Sequence, residues 1–349
     1  MSHDYQAVLW NPQKKKYDQF IVLGIIIYLM SFAGLTLLFD SNTSLETLII
    51  RAFGSLAIIL LQLILSIGPL TRINKGFMPL LYNRRHLGVS MFLIATVHGV
   101  FSLIQFHALG DTSIIDSLFK ANQNYNSVGD FPFQTLGFFA LIILFTMAAT
   151  SHDFWNANLG PRVWKIIHMF VYLAYLLIVF HVLLGAYQQH HANYLLFIVC
   201  VGSLWLVSIH LYTGFSEAQR DKTSNAKLGK IQNDGFLWAC TIEDINDNCA
   251  KVIQLGTERV AVFKYDNKIA AVSNVCEHQN GPLGEGKVID GCITCPWHGY
   301  QYKPEDGQSP PPFTEKIHTY KVRLEKNNVY VDPTPLPKGT PTSPAIISV

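Results

Sequence analysis

Long apolar runs separated by short polar segments fill the first two-thirds of the chain. A helix needs about 20 apolar residues to cross the roughly 30 Å hydrocarbon core of a bilayer. Runs of that length predict six transmembrane helices, at residues 20–39, 48–70, 87–109, 131–151, 163–187 and 194–215. We therefore expect residues 20–215 to form an all-α six-helix membrane bundle, because helices satisfy their own backbone hydrogen bonds in lipid.

The pattern changes near residue 231, where short apolar runs are bounded by polar residues. The runs VAVFKY, KIAAVSN, HTYKVRL and NVYVD are typical of strands and predict a small all-β domain at 231–332. A polar linker at 216–230 would join it to the bundle, and residues 1–19 would precede the bundle on its cytoplasmic side. Five prolines among polar residues predict a tail without a fold of its own at 333–349.

Charge indicates how the bundle is oriented. The net charge of +2 and the lack of a basic stripe argue against a nucleic-acid partner, and the 50% hydrophobic composition makes membrane lipid the expected environment. Lys and Arg concentrate in cytoplasmic loops of membrane proteins. The residues on the richer side are Lys14, Lys15, Lys16, Arg72, Lys75, Arg84, Arg85, Arg162 and Lys165, whereas Arg51 and Lys120 lie on the other. Both termini and the β domain are therefore expected in the cytoplasm.

Histidines inside the predicted spans are candidate haem ligands, because an ionisable side chain in lipid is costly unless it has a function. His98 lies in the third span, and His168 and His181 lie 13 residues apart in the fifth. That separation is about 20 Å of helical rise, enough to reach two haems on opposite sides of the bilayer. Hydrogen bonds to helix carbonyls are the alternative, and His86 is a further candidate at the inner edge. His107, His190 and His191 are expected at the outer surface.

Two segments carry a resemblance to a known family. NRRHLGVSMFLIATVHGV and LGPRVWKIIHMFVYLAYLLIVFHVLLG resemble the ferric-reductase-like transmembrane domain, above all the haem-binding membrane subunits that serve bacterial periplasmic methionine sulfoxide reductases. The resemblance implies a bacterial inner-membrane protein with one or two b-type haems, and it implies His98, His168 and His181 as ligands. Arg84 stands where the more distant NADPH oxidases have another histidine.

The β domain contains Cys276-x-His278 and, after sixteen further residues, Cys295-x-x-His298. Two cysteines and two histidines could bind zinc, but zinc sites usually pair like ligands at each knuckle. One cysteine and one histidine per loop is the ligand set of a [2Fe-2S] cluster with two thiolates on one iron and two imidazoles on the other. With six cysteines and no disulfide pattern, a metal site in a reducing compartment is the preferred interpretation.

The whole stretch resembles a Rieske domain of the ferredoxin and oxygenase type. Gly281 and Trp297 stand where respiratory Rieske proteins have a disulfide, and Tyr302 stands where the family has a tyrosine that donates to a ligand sulfur. Cys240, Cys249 and Cys292 are expected to pack rather than to bind metal. The resemblance implies one-electron transfer through the cluster.

Together the two domains predict transmembrane electron transfer. A cytoplasmic reductase or ferredoxin is the expected donor, because the chain contains no Gly-x-Gly-x-x-Gly motif. Ferric iron, a periplasmic protein or quinone is the expected acceptor. A relay subunit of a larger respiratory complex and a membrane-anchored electron supplier of an oxygenase are the alternatives.

Overall fold

A computed structural model describes residues 12–120, 126–188, 193–227, 232, 234–256, 258–278, 280–297 and 299–347. The chain divides into two compact units, Met1–His210 and Leu211–Val349. Helices dominate the first unit and strands the second. The predicted order, an α-helical membrane region followed by an all-β domain, is confirmed.

Helices account for most of the first unit and continue past its boundary. Their bounds are α1 Pro12–Phe39, α2 Leu45–Ile73, α3 Met78–Tyr82, α4 Arg84–His107, α5 Ile114–Lys120, α6 Phe133–Ala149, α7 Asp153–Met169, α8 Val171–Gln188 and α9 Asn193–Lys227. Ser44 caps α2 by accepting a hydrogen bond from the Thr47 amide at 3.2 Å. The polar loop that breaks the first apolar run therefore also starts the next helix.

Among the described residues, five helical stretches are long and apolar enough to cross a membrane: Lys15–Phe39, Leu45–Ile73, Arg84–His107, Val163–Gln188 and Asn193–Gln219. The prediction of six full-length spans is corrected at the fourth. Helix α6 has 17 residues, because it starts after Pro132 and ends before Thr150. A proline has no backbone N–H, and the Thr150 hydroxyl bonds back to the Thr146 carbonyl at 2.7 Å.

Helix α2 lies at the centre of the bundle and is its most buried helix. Leu56, Leu60 and Leu61 of α2 pack in one apolar cluster with Met91 and Ile94 of α4. A polar contact adds to this packing, because the Gln62 amide lies 3.3 Å from the Tyr175 hydroxyl of α8. Such interhelical hydrogen bonds satisfy polar groups that lipid would leave unpaired.

In its described residues, the β domain forms three small antiparallel sheets. The strands are β1 Leu237–Thr241, β2 Ala250–Leu255, β3 Glu258–Tyr265, β4 Lys268–Ser273, β5 Lys287–Ile289, β6 Cys292–Thr294, β7 Gln301–Tyr302, β8 Thr319–Tyr320, β9 Val322–Glu325, β10 Asn328–Val331 and β11 Ala345–Ile346. One sheet has the order β1-β10-β9, a second the order β11-β4-β3-β2 with β8 also on β4, and a third the order β5-β6-β7.

Local sequence explains the hairpin of β3 and β4. Asp266 and Asn267 adopt φ values of 44° and 54°, which Asp and Asn tolerate better than most residues. A two-residue turn with positive φ matches the twist of the flanking strands. The four predicted strand runs thus become β3, β4, β8 with β9, and β10, as expected.

Two segment assignments need correction. Residues 216–227 of the predicted linker belong to α9. The predicted tail is not without structure: residues 333–347 lie along the β domain, and β11 pairs with β4. The backbone amides of Leu336, Gly339 and Thr342 donate to the carbonyls of Thr319, Ile317 and Glu305 at 2.9, 3.1 and 2.7 Å. Proline removes an amide only at its own position, so the residues between the prolines still pair.

Candidate functional site

In the membrane unit, His98 of α4 and His181 of α8 face each other. Their ring centres are 6.1 Å apart. Two imidazole nitrogens on opposite sides of one metal ion, each about 2 Å from it, put ring centres roughly 6 Å apart. The sequence could not predict this pairing, because it depends on how α4 and α8 pack.

Both rings are held in the same way by a neighbouring helix. His98 Nδ1 lies 2.9 Å from the Ile50 carbonyl of α2, and His181 Nδ1 lies 2.8 Å from the Phe133 carbonyl of α6. A carbonyl oxygen only accepts, so Nδ1 carries the proton in each neutral ring and Nε2 keeps its lone pair. This is the tautomer in which Nε2 binds metal.

Glycines make room for both rings. A Cβ built on Gly54, four residues after Ile50, would lie 2.7 Å from His98 Nδ1. A Cβ built on Gly137, four residues after Phe133, would lie 2.8 Å from His181 Nδ1. The sequence analysis did not identify either glycine as functional. A small residue inside an apolar membrane helix indicates that a neighbouring helix approaches closely there, and this could have pointed to both.

A largely apolar cavity adjoins the two histidines. It is lined by side chains of α2, α4, α6 and α8 and has an empty volume of about 1360 Å³, counting the part open to the outside. An apolar cavity with two facing imidazoles fits haem.

His107, expected at the surface, instead is buried against this cavity, with its ring nitrogens 2.9 Å from Ser117 Oγ and 3.1 Å from Gln134 Oε1. His190 and His191 lie outside the described residues.

The other two candidate haem ligands have different neighbours. His168 Nδ1 lies 2.9 Å from the Trp164 carbonyl, and its Nε2 lies 3.3 Å from Ser151 Oγ. His86 Nδ1 lies 2.7 Å from Asp18 Oδ1. No hydrogen bond or ring contact joins His86 to His168 in the part of the chain that the structure describes. Helical structure is interrupted at Phe170, between His168 and His181.

In the β domain, the two cysteine loops share one backbone pattern. In the first, the Cys276 amide donates to the Gly281 carbonyl at 2.9 Å and the Asn280 amide donates to the Cys276 carbonyl at 2.7 Å. In the second, the Cys295 amide donates to the Tyr300 carbonyl at 2.7 Å and the Gly299 amide donates to the Cys295 carbonyl at 2.9 Å. Each loop therefore presents its cysteine at the same place in a tight turn.

The two loops are in direct contact. A Cβ built on Gly281 of the first loop would lie 2.7 Å from Cys295 Sγ of the second. Cys276 and Cys295 are each 1% exposed and belong to one apolar core. The Tyr302 hydroxyl lies 3.4 Å from Cys276 Sγ. Burial, and after it the neighbouring Cys276, raises the pKa of Tyr302, so the hydroxyl stays protonated. Two buried thiols in adjoining loops fit an iron–sulfur cluster.

His278 follows in the first loop and stacks on Tyr300 of the second. His298 lies outside the described residues. Among the described residues, no three or more His, Cys, Asp or Glu side chains are grouped closely enough to hold a metal ion. The structure thus places three of the four predicted ligands, Cys276, His278 and Cys295, in two adjoining loops.

Comparisons with known proteins identify both domains. Residues 53–179 match the family described as ferric reductase like transmembrane component, and residues 235–321 match the Rieske [2Fe-2S] domain. The ferredoxin subunit of 3-phenylpropionate/cinnamic acid dioxygenase from Photorhabdus laumondii is 31% identical over 97 residues, which are 27% of this chain and 91% of that protein. The chain belongs to the Rieske family through its C-terminal domain.

Several relatives are matched over only part of their own length. The heme-binding subunit MsrQ of protein-methionine-sulfoxide reductase from Cronobacter sakazakii is 36% identical over 132 residues, 37% of this chain and 60% of that subunit. Human apoptosis-inducing factor 3 is 29% identical over 93 residues, 26% of this chain, but this spans only 15% of that protein. The chain therefore joins a ferric-reductase-like transmembrane domain to a Rieske domain, which makes it a multi-pass membrane protein of the electron-transfer class.

Three further cysteines of the Rieske domain lie away from the paired loops or at their edge. Cys240 is buried in the core cluster that does not contain Cys276, and burial raises its pKa to about 12. Cys292 lies on β6 with a pKa that burial also raises. Among the described residues, Cys240, Cys249 and Cys292 form no disulfide.

Proposed function

We propose that this chain transfers electrons across a bacterial inner membrane, from a cytoplasmic donor through a Rieske cluster and b-type haem to an acceptor on the outer side or in the membrane. The observation that carries the proposal is the facing of His98 and His181 across an apolar cavity, in a chain that also has a Rieske domain. When bound, cluster and haem each take up and release one electron. The protein's part is to hold them, to orient their ligands and to exclude water.

Cys276, His278, Cys295 and His298 are the proposed cluster ligands. Buried thiols favour deprotonation only when a metal or a positive group compensates the charge. Gly281 supports the proposal by letting the loops approach, and Tyr302 supports it by donating toward Cys276 Sγ. Hydrogen bonds to a ligand sulfur and solvent exposure set the potential of such a cluster.

His98 and His181 are the proposed ligands of one haem. Their Nδ1 protons are fixed on backbone carbonyls, so both rings are oriented before any haem binds. His168 stays a predicted ligand of a second haem nearer the cytoplasm, with His86 as its predicted partner. To bind haem, His168 would have to give up its contact with Ser151, and His86 would have to give up its contact with Asp18.

The proposed direction rests on the distribution of Lys and Arg. Both termini lie in the cytoplasm only if α6, with its 17 residues, also crosses the membrane. That length is at the lower limit for a span. Reporter fusions or cysteine labelling on each side of α6 would test this placement.

Spectroscopy of the purified chain tests the cofactors. We expect b-type haem absorption bands and a rhombic Rieske signal in electron paramagnetic resonance. Metal analysis should find iron in the Rieske domain; zinc in its place would refute the cluster. In inside-out vesicles, chemically reduced ferredoxin should reduce the haem, and failure of that transfer would refute ferredoxin as donor.

Two observations favour particular partners. The similarity to ferredoxin components of an alkene monooxygenase and of a dioxygenase supports a cytoplasmic reductase as donor, and it also keeps an electron-supply role for an oxygenase open. The similarity to MsrQ supports a periplasmic protein as acceptor, with ferric iron and quinone as other acceptors. Purification with tightly bound partner chains would instead support a relay subunit of a respiratory complex.

A further inference from the structure

Tyr300 occupies an unusual place between the two cysteine loops. It is the fifth residue after Cys295, the position that Gly281 holds after Cys276. Gly281 of the first loop lies close to Cys295 of the second loop, and Tyr300 of the second loop stacks on His278 of the first loop. The two equivalent positions therefore each contact a proposed ligand of the other loop.

The contact between Tyr300 and His278 is a parallel stack. Their ring centres are 4.7 Å apart and their planes differ by 8°. Rotation about the last side-chain bond of histidine has broad, weak minima, so an imidazole does not fix its own plane. A flat neighbour in van der Waals contact restricts that rotation.

Tyr300 itself is fixed on several sides. Its hydroxyl donates to the Glu315 carboxylate, and its carbonyl accepts from the Cys295 amide at 2.7 Å. Its ring packs against Tyr302 at 5.5 Å and Phe313 at 4.8 Å between ring centres. Tyr300 is only 8% exposed, so its ring is buried and held in place by these contacts.

We propose that Tyr300, anchored by Glu315, is the positioning residue that sets the ring plane of His278 at the Rieske site. The proposal rests on His278 being a cluster ligand. Replacing a group that orients a metal ligand typically costs about tenfold to a hundredfold in metal affinity or activity. Tyr302 contacts the proposed thiolate ligand Cys276, and Tyr300 contacts the proposed imidazole ligand His278. Two tyrosines close together in the sequence thus each contact a different kind of ligand.

Three substitutions separate the ring from its anchor. Tyr300→Leu removes the stack, Tyr300→Phe keeps the ring but loses the hydroxyl, and Glu315→Gln weakens the acceptor. Tyr320 provides a matched control, because it is also buried and its hydroxyl donates to a carboxylate, Glu258, at 2.8 Å. Tyr320→Phe and Glu258→Gln make the same chemical changes away from the loops.

The measurement is the nitrogen hyperfine coupling of the reduced cluster, from pulsed electron paramagnetic resonance of the full chain in detergent, with iron and sulfide content as a check on loading. We expect a shift in the couplings of one of the two imidazoles in Tyr300→Leu. We expect smaller shifts or broader lines in Tyr300→Phe and Glu315→Gln. The two controls, Tyr320→Phe and Glu258→Gln, should give wild-type spectra.

The outcomes distinguish this inference from the proposed function. Absence of a Rieske signal from the wild-type chain overturns both. A wild-type signal that is unchanged in all three variants overturns the positioning role alone. If Tyr300→Leu does not assemble a cluster, Tyr300→Phe and Glu315→Gln decide, and wild-type couplings in both overturn the inference.

Discussion

Single residues one helix away decide whether the two membrane histidines can meet. His98 and His181 each donate to a carbonyl four residues before a glycine, on α2 and on α6 respectively. This arrangement matters because a methyl group added at Gly54 would overlap the His98 ring, and one added at Gly137 would overlap the His181 ring. The orientation of the two imidazole rings therefore depends as much on Gly54 and Gly137 as on the histidines themselves.

Substituting these glycines should reduce haem binding. In Gly54→Ala or Gly137→Ala the new Cβ would lie under 3 Å from an imidazole nitrogen, so the ring must move from its carbonyl partner. We expect haem per protein to fall roughly tenfold, the scale on which groups that orient metal ligands act. Haem absorption against protein content measures this.

Gly88→Ala is the control for this prediction, because nothing lies within 4 Å of a Cβ at Gly88 on α4. It should keep wild-type haem content. Equal haem loss in Gly88→Ala would show that the effect comes from helix packing in general. Full haem retention in Gly137→Ala would contradict the role of this glycine in making room for the His181 ring.

Cys240 gives a pH-dependent prediction for the Rieske domain. Burial raises its pKa from 9.0 to about 12 in the folded chain, so the unfolded chain loses this proton first as pH rises. The buried thiol's contribution to stability is fully present below about pH 9 and is lost between pH 9 and 12, by up to about 1.4 kcal/mol per pH unit. Denaturant unfolding of wild type and Cys240→Ala from pH 8 to 11 should show a shallower decline in the variant; parallel curves would contradict the assignment.

At the scale of elements, the C-terminal strap, residues 333–347, adds a layer to the Rieske domain beyond the matched family region. Its prolines predicted a tail without a fold, but the amides between them pair with the 305–319 region. Lys338 also forms a 2.8 Å ion pair with Glu277, which lies between Cys276 and His278. The strap thus contacts the first cysteine loop directly.

Hydrogen exchange tests the strap. The amides of Leu336, Gly339, Thr342 and Ile347 should be protected, because each donates to a backbone carbonyl. Ending the chain after Asp332 should lower the free energy of unfolding of the domain by on the order of 3 kcal/mol, since several hydrogen bonds of about 1 kcal/mol each are lost. Exchange of these amides at the rate of an unstructured peptide would contradict the packing.

At the scale of the whole molecule, the chain consists of two compact units with separate cores. Each unit has its own candidate site, and each site is built from residues of that unit alone. Loss of one cofactor should therefore leave the other in place.

Cys276→Ser with Cys295→Ser should remove the iron–sulfur signal while b-type haem stays bound at wild-type content. Dithionite should still reduce that haem, but reduced ferredoxin should not, because the proposed entry point for electrons is missing. His98→Ala is the reciprocal variant and should keep the Rieske signal. Loss of both cofactors in either variant would contradict the independence of the two sites.

The sequence by itself determined the order of the domains, the positions of most spans and strands, and the two cysteine–histidine loops. These follow from local periodicity and from close spacing, which a short stretch of chain carries in full. It did not determine that α6 would be short, that the proline-rich end would pair, or which membrane histidines would face each other. Those depend on contacts between residues far apart in the chain: His98 with Ile50 and Gly54, His181 with Phe133 and Gly137, and Tyr300 of one loop with His278 of the other. Only the packing of helices and loops brings such groups together, because the free energy of each contact depends on its neighbour's shape as well as on its own side chain.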